Sequence, residues 1–190
     1  MLQLPQSLIH WLLAGASAAT VLFFGVGLTL YFERGLRPAW VRVAHFGSMV
    51  FALLECVGVC VLPPRHDPWV AAGIAMYLVA LSVFLAAIES AKRTRLQRSF
   101  VDLPLPDRLI TDGPFRWVRH PFCTGYLLAA LAGPVGIDHS VMSLIAAPLV
   151  LVAIYAAIRE ERVWLSGARA DEYRDYRRRT GMFVPFIGRG

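Results

Sequence analysis

The densest group of reactive side chains in this sequence lies between residues 113 and 125, which read GPFRWVRHPFCTG. Pro121 has a fixed φ and disfavours helical geometry in the residue before it, so we expect His120 to be extended and a helix to begin at Pro121. The first amides of such a helix carry partial positive charge and suit an anion such as a carboxylate. The spacing therefore predicts a corner that presents the His120 imidazole beside an anion-binding helix end.

A second group of ionisable residues, Glu160 and Glu161, directly follows an apolar stretch and is flanked by Arg159 and Arg162. One interpretation is a cluster of charges that solvates the end of a membrane helix. The other is that one carboxylate faces inward toward His120, because an acid near lipid depth is costly unless it has a partner. A carboxylate, a helix amino terminus and an aromatic wall would together bind a small molecule that carries a positive charge, hydroxyl groups and a carboxylate.

Cysteine and acidic residues elsewhere do not form a metal-binding pattern. Cys56 and Cys60 lie four apart in one apolar stretch without a His or a third Cys nearby, so we interpret them as buried thiols and predict no metal site. Glu55 lies in the same stretch, where an acid tends to face the interior of a helix bundle. Two interpretations of Glu55 stay open: contact with a substrate headgroup, or a hydrogen bond to a Ser or Tyr of a neighbouring helix.

The composition argues against a soluble globular domain. Of the 190 residues, 57% are hydrophobic and the mean hydropathy is +0.55, whereas about half apolar is usual for soluble domains. The net charge of +6 comes from basic residues that flank the apolar stretches. This pattern favours a lipid bilayer with anionic headgroups as the partner, and not nucleic acid.

The apolar stretches are candidates for transmembrane helices, which need about 20 residues each. They are residues 8–32, 43–62, 69–88, 122–137 and 141–158. The sequence thus predicts an all-α integral membrane protein with five transmembrane helices in a single domain, 1–190. Its first part, 1–95, would hold three spans, and its second part, 96–190, a cofactor-binding loop, a helical hairpin and the tail. We expect Gly133-Pro134 to interrupt the fourth helix and residues 159–179 to continue the fifth as a cytosolic extension.

Lysine and arginine are unevenly distributed among the loops. None occurs before the first apolar stretch or in the loop 138–140, whereas the loop 90–119 and the C-terminal tail are rich in them. Because cytosolic loops carry an excess of Lys and Arg, we predict an N-terminus outside and a C-terminus in the cytosol. The lack of basic residues at the N-terminus also indicates a retained first span instead of a cleaved signal peptide.

The segment 113–125, followed by an apolar hairpin, Glu160-Glu161 and a Tyr-rich basic tail, resembles the isoprenylcysteine carboxyl methyltransferases. It is also similar to the related phospholipid N-methyltransferases, and the similarity covers roughly residues 107–185. The resemblance implies S-adenosylmethionine as the cofactor and a set of residues that line its pocket. These are Asp107, Arg108, Leu109, Ile110, Phe115, Arg119, His120, Pro121, Phe122 and Cys123, with Glu160 or Glu161.

Two positions depart from the pattern of that family. Cys123 stands where the family usually has a tyrosine. The family's substrate-facing arginine, one turn before the glutamate, would fall at Ala156 or Ala157, and Arg159 is the nearest replacement. On this basis we predict that Arg159 acts with Glu161 in catalysis.

Which glutamate contacts the cofactor depends on how the resemblance is aligned. Counting back from Tyr173 matches Glu161, whereas aligning the acidic pair itself matches Glu160. We favour Glu161.

The function that the resemblance implies is methyl transfer to a lipophilic acceptor that enters from the bilayer. The acceptor expected first is the carboxylate of a prenyl-cysteine-like or isoprenoid substrate, with amine methylation of a phospholipid as the alternative. A non-enzymatic membrane scaffold or binder with the same helical frame is the third interpretation. A carboxylate or thiolate would be nucleophilic as it stands, whereas an amine would first lose a proton.

Overall fold

The structure, a computed structural model, describes residues 6–31, 39–65, 67–93 and 109–187. The long regular segments among these residues are all α-helices, so the all-α prediction is confirmed. The helices are α1 (Gln6–Tyr31), α2 (Ala39–Val61), α3 (Asp67–Arg93), α4 (Pro121–Ile137), α5 (Ser140–Ser166) and α6 (Ala170–Arg179). A short 3-10 helix, Gly113–Arg116, precedes α4.

Helices α1, α3 and α5 contain stretches long and apolar enough to cross a bilayer, namely Ser7–Gly27, Pro68–Lys92 and Ser140–Ser166. Two further apolar stretches are shorter, Phe46–Val61 and Pro121–Ile137. Large apolar side chains such as Leu144 and Leu151 point outward, with 73% and 67% of their surfaces exposed. Since soluble monomers rarely expose so much contiguous apolar surface, these helices indicate an integral membrane protein.

Helix α4 lies at the centre of the bundle and packs against α1, α2, α3 and α5. The contact between α3 and α4 is the most extensive, and Gly73 makes it possible. A Cβ atom on Gly73 would lie 2.8 Å from both the carbonyl oxygen of Ala132 and the Cα of Gly136, so no larger residue permits this approach. One group of buried apolar residues fills the same region: Leu13, Ala14, Val59, Val70, Tyr77, Ala132, Ile137 and Met142.

The pair Gly133-Pro134 does not interrupt α4, so that prediction is wrong. The helix continues through both residues to Ile137 and ends at Asp138, whose φ of 52° is left-handed. Pro134 removes one N–H from the helix, but the surrounding helices hold the backbone in place, as is usual for proline in membrane helices. The N–H of Asp138 donates to the Pro134 carbonyl oxygen at 2.9 Å and closes the last turn.

The end of the fifth helix also differs from the prediction. Helix α5 extends to Ser166 and stops there, and residues 167–169 turn the chain into a separate helix, α6. The segment 159–179 is therefore not one continuous helix. The turn allows Trp164 of α5 to stack on Tyr173 of α6, with ring centroids 5.5 Å apart, and it buries Tyr173 and Tyr176.

Glu55 of α2 faces the interior of the bundle, with 4% of its surface exposed. Tyr77 of α3 donates a hydrogen bond to Glu55 Oε1 at 3.1 Å. Of the two interpretations of Glu55, the structure therefore contains the hydrogen bond to a tyrosine of a neighbouring helix. Gly133 of α4 packs against the same carboxyl group, because a Cβ there would lie 2.6 Å from Glu55 Oε1. Gly133 is about 18 Å along α4 from Pro121 at 1.5 Å per residue, so this contact is remote from the 113–125 segment.

Candidate functional site

The segment 113–125 forms the predicted corner. His120 has φ −123° and ψ 64°, which is outside helical geometry, and α4 begins at Pro121. Arg119 and His120 are both buried, each with 5% of its surface exposed. The proline therefore ends the loop where the sequence indicated, and two basic side chains lie inside the protein at the start of α4.

Glu161 of α5 is the centre of an ionic network at this corner. Its Oε1 atom accepts a hydrogen bond from Arg119 Nε at 2.7 Å and lies 3.3 Å from His120 Nε2. Its Oε2 atom lies 3.6 Å from Nε of Arg177, which belongs to α6. The side chain of Glu161 is only 9% exposed, so its charge is buried and is balanced by cations from two other segments of the chain.

Glu160 contacts the other ring nitrogen of the same histidine. Its Oε2 atom lies 3.5 Å from His120 Nδ1, and its side chain is 29% exposed. Burial alone would lower the pKa of His120, but the hydrogen bonds to Glu160 and Glu161 outweigh burial and raise the pKa of His120 to about 9. At neutral pH, His120 is therefore an imidazolium held between two carboxylates.

The C-terminal strap, which we define as residues 180–187, pairs with the corner through a short parallel bridge. The N–H of Arg119 donates to the Gly181 carbonyl oxygen at 2.8 Å. The N–H of Gly181 in turn donates to the Trp117 carbonyl oxygen at 3.1 Å. The N–H of His120 donates to the Met182 carbonyl oxygen at 3.2 Å. These bonds fix the backbone of the corner from a segment that is far away in the sequence.

Arg119 joins the strap to the glutamate. Its Nη1 atom donates to the carbonyl oxygen of Thr180 at 2.5 Å and to that of Arg177 at 3.3 Å, while its Nε atom is bonded to Glu161. The two carbonyl groups lie at the C-terminal end of α6, where a cation is favourable. The structure thus uses the guanidinium group of Arg119, predicted as a cofactor contact, to connect the corner, α5 and α6.

Aromatic rings lie next to the corner on two sides. Phe183 of the strap lies 6.1 Å from the His120 ring. Phe115 and Phe122 have ring centroids 6.3 Å apart, and the carbonyl oxygen of Phe115 accepts a hydrogen bond from the Tyr176 hydroxyl at 2.7 Å. These rings offer the apolar walls that small-molecule sites use around a few polar groups.

The predicted residues before the corner are only partly described. Leu109 packs against Trp164 and the two buried tyrosines of α6, and Ile110 is buried with 8% of its surface exposed. Asp107 and Arg108 lie outside the described residues.

On the α5 side of the corner, Cys123 is 3% exposed and packs in one buried cluster with Ala157 of α5. A helix–helix contact therefore fills one of the two positions where the family pattern would put an arginine. Arg159 precedes Glu161 by two residues, and residues two apart on a helix do not share a face. Arg159 and Glu161 thus project from different sides of α5, and a catalytic function of Arg159 stays a prediction.

Residues of the tail belong to this site although the sequence indicated only contact with the membrane surface. Arg177 contacts Glu161, and Gly181, Met182 and Phe183 contact the corner. No local pattern marks these pairings, because each joins residues that are far apart in the chain. The one local signal is Gly181, which follows the C-cap residue Thr180 where a glycine commonly ends a helix.

Comparison with known proteins identifies the family. The family model described as phospholipid methyltransferase matches residues 69–168, more than half of the chain. The chain belongs to the phospholipid methyltransferase family. The match includes the corner and both glutamates, whereas α6 and the strap lie beyond it. The protein is therefore a member of a methyltransferase family with the helices of a membrane protein.

Several curated relatives of this family member differ in the acceptor that their names specify. The methanethiol S-methyltransferase of Mycobacterium tuberculosis is 37% identical over 73 residues, which are 38% of this chain and 28% of that protein. The enzyme of the same name from Crocosphaera subtropica is 31% identical over 84 residues, 44% of this chain and 32% of that protein. A probable protein-S-isoprenylcysteine O-methyltransferase of Oryza sativa subsp. indica is 26% identical over 187 residues, 93% of this chain and 96% of that protein.

The chain thus matches less than a third of the length of the two methanethiol enzymes. Comparison with solved structures finds no significant match.

Proposed function

We propose that this family member transfers a methyl group from S-adenosylmethionine to a lipophilic acceptor at the membrane surface. The observation that carries the proposal is the position of His120 at the start of α4, where its two ring nitrogens contact Glu160 and Glu161. The proposed acceptor is the carboxylate of a prenyl-cysteine-like or isoprenoid compound. The similarity to the rice relative over 93% of this chain supports that acceptor.

The groups at the corner fit this cofactor. The partly exposed carboxylate of Glu160 suits a cationic amino group or ribose hydroxyls. His120 makes no side-chain cap on the first turn of α4, so that positive helix end suits a carboxylate. Phe115 and Phe122 offer rings against which adenine can pack. When bound, the cofactor supplies a methyl group that its sulfonium charge has already activated.

The contribution of the chain, in this proposal, is positioning and exclusion of water. The network of Glu161, Arg119 and His120 holds the corner in one arrangement. A carboxylate or thiolate that reaches the corner from the bilayer loses its water and becomes a better nucleophile. A carboxylate needs no base, and a thiol reacts as the thiolate after it has lost its proton to solvent, so Glu161 acts here on orientation and not on proton transfer.

A thiol acceptor is the second candidate. Local identity to the methanethiol enzymes reaches 37% over 73 residues. Ala157, one turn before Glu161, is fully buried and offers no cation to a carboxylate substrate. Methylation of a phospholipid amine is a further alternative, in which Glu160 would take the proton that the amine loses.

Binding of S-adenosylhomocysteine to the detergent-purified protein tests the cofactor site. We expect measurable heat by titration calorimetry with the wild type, and none with His120→Ala. His139→Ala is the matched control, because His139 caps α5 at the opposite end of the bundle and should not affect binding. No heat from the wild type at millimolar ligand would favour a non-enzymatic scaffold, and normal binding by His120→Ala would show that the site lies elsewhere.

Incubation with methyl-labelled cofactor identifies the acceptor class. The probes are N-acetyl-S-farnesylcysteine, octanethiol and phosphatidylethanolamine vesicles. We expect label on the farnesylcysteine probe that mild base releases as a volatile product, as a methyl ester requires. Base-stable label on octanethiol or on the phospholipid would replace the carboxylate proposal with the thiol or the amine alternative.

A further inference from the structure

One buried hydroxyl group near the corner takes no part in the hydrogen-bond network described above. The hydroxyl oxygen of Tyr126, in α4, is buried and has no hydrogen-bond partner among the residues that the structure describes. Buried polar groups are normally hydrogen-bonded, so an orphan of this kind calls for a ligand, a water or a functional reason. The hydroxyl groups of two other buried tyrosines have hydrogen-bond partners, since Tyr77 donates to Glu55 and Tyr176 donates to the Phe115 carbonyl oxygen.

Tyr126 borders the candidate cofactor site. It lies three residues after Cys123 and four after Phe122, and residues at those spacings are neighbours on a helix surface. Tyr126 follows Pro121 by five positions, which places its Cα about 7.5 Å deeper along α4 at 1.5 Å per residue. The Cα of Tyr126 is therefore about 1.7 turns further along α4 than that of His120, in the direction from which a membrane-borne acceptor would arrive.

The ring of Tyr126 belongs to an aromatic column that leads to the corner, formed by Phe24, Phe84, Phe115, Phe122 and Tyr126. Tyr126 meets Phe24 edge-on at 4.9 Å and lies 5.7 Å from Phe84, which in turn lies 5.6 Å from Phe122. Gly125 lets these rings approach, because a Cβ there would lie 3.2 Å from the Ala80 carbonyl oxygen. The rings pack on one another, and Phe84 is fully buried, so they do not form an open cage for an ammonium group.

We propose that the Tyr126 hydroxyl is the hydrogen-bond donor of an acceptor subsite, and that the aromatic column is its apolar wall. This inference rests on the proposed methyl transfer and specifies its acceptor as an apolar compound with one anionic head, a thiolate or a carboxylate. The hydroxyl donates a hydrogen bond to that head without giving up its proton and so orients a lone pair toward the methyl group. Tyr126 is thus an acceptor-positioning residue.

Tyr126→Phe tests the inference because it removes the hydroxyl and keeps the ring. Binding of N-acetyl-S-farnesylcysteine and of octanethiol is measured by calorimetry with saturating S-adenosylhomocysteine, beside thermal unfolding of each variant. We expect about tenfold weaker binding of at least one probe, an unchanged or higher unfolding midpoint and normal S-adenosylhomocysteine binding. The probe that weakens identifies the head as carboxylate or thiolate. Tyr77→Phe is the matched control, which should lower the unfolding midpoint and leave probe binding unchanged, because its hydroxyl is bonded to Glu55.

Equal probe affinities in Tyr126→Phe and the wild type would overturn the subsite while leaving the proposed function intact. A fall in the unfolding midpoint of Tyr126→Phe would also overturn it, since the hydroxyl would then have a partner within the protein. Failure of the wild type to bind either probe, with S-adenosylhomocysteine bound, would overturn it as well. Failure of S-adenosylhomocysteine itself to bind the wild type would instead count against the proposed function.

Discussion

Adjacent glutamates in α5 differ in their surroundings, whereas the sequence distinguished them only by their spacing from Tyr173. Glu161 is buried and contacts Arg119, His120 and Arg177, whereas Glu160 contacts His120 and keeps 29% of its side chain exposed. A buried carboxylate whose oxygens already contact three basic side chains has fewer free positions for a ligand than a carboxylate that is partly exposed to solvent. We therefore expect Glu161 to hold the corner together and Glu160 to meet the cofactor.

Paired glutamine substitutions test that difference. Glu161→Gln removes the buried carboxylate that lies 2.7 Å from Arg119 Nε and should destabilise the protein by about 3–5 kcal/mol, the usual loss when one member of a buried ion pair is removed. Glu160→Gln should leave the unfolding midpoint nearly unchanged and weaken S-adenosylhomocysteine binding. Thermal unfolding and calorimetry of both variants provide the measurement. If Glu160→Gln were the more destabilising of the two, the assignment would be reversed.

The imidazolium of His120 makes stability depend on pH. Its pKa of about 9 in the folded protein is above the ordinary value of 6.5, so the folded state holds this proton more tightly than the unfolded state. The resulting stabilisation is complete below about pH 6.5 and is lost as the pH rises through about 9. We expect the unfolding midpoint of the wild type to fall over this range more steeply than that of His120→Asn. Parallel pH profiles of the two proteins would mean that His120 is not charged in the folded state.

Among the elements, the C-terminal strap and α6 complete the site. The break of the helix after Ser166 turns α6 back, so that Arg177 reaches Glu161 and the strap pairs with the corner. A continuous helix through residue 179 would have carried these groups away from α4. The geometry of the site therefore depends on a turn at Gly167 as much as on the residues of the corner.

Gly181→Ala tests the strap. A Cβ on Gly181 would lie 2.7 Å from the Ile187 carbonyl oxygen and would also collide with that of Val184, so the strap would have to move away from the corner. We expect S-adenosylhomocysteine affinity to fall at least tenfold while the helical circular dichroism is retained. Gly15→Ala is the control, because a Cβ there meets nothing within 4 Å. Its binding should be normal and its stability unchanged or up to about 1 kcal/mol higher, from better helix propensity. Wild-type affinity in Gly181→Ala would mean that the strap is not part of the site.

The whole molecule has its candidate chemistry at one end. The corner, the glutamate pair and the strap lie where α4 begins and α5 ends, whereas the buried contact of Glu55 with Tyr77 lies in the other half of the bundle. We propose that the site end faces the cytosol. There the exposed Arg178, Phe186 and Ile187 would rest on anionic headgroups.

Labelling of a cysteine introduced at one exposed position tests the orientation, in a background with Cys56→Ser and Cys60→Ser that keeps only the buried Cys123. Ser140→Cys is at the first residue of α5, directly after the connection from α4, and Ala168→Cys lies in the turn before α6; both positions are exposed. We expect a membrane-impermeant maleimide to label Ser140→Cys in intact cells and Ala168→Cys only after permeabilisation. The opposite pattern would reverse the orientation, and labelling of both in intact cells would rule out a hairpin that crosses the bilayer.

Much of the helical frame could be predicted from the sequence because its causes are local. Runs of apolar residues predicted where α1 to α5 lie, and the proline at position 121 predicted both the start of α4 and the non-helical backbone of His120. The same local reasoning failed at Gly133-Pro134, because packing against neighbouring helices stabilises α4 by more than the loss of one backbone hydrogen bond costs. It also did not anticipate the break at Gly167.

The sequence by itself determined the class of the protein, the corner and the presence of an acidic pair near it. Only the tertiary structure decided that Glu161 is the buried member of that pair, that the strap binds the corner, and that the Tyr126 hydroxyl has no partner within the described part of the chain. The reason is physical. Composition and proline geometry act over a few residues, whereas burial and hydrogen bonding of these groups depend on helices that meet only when the whole chain has folded.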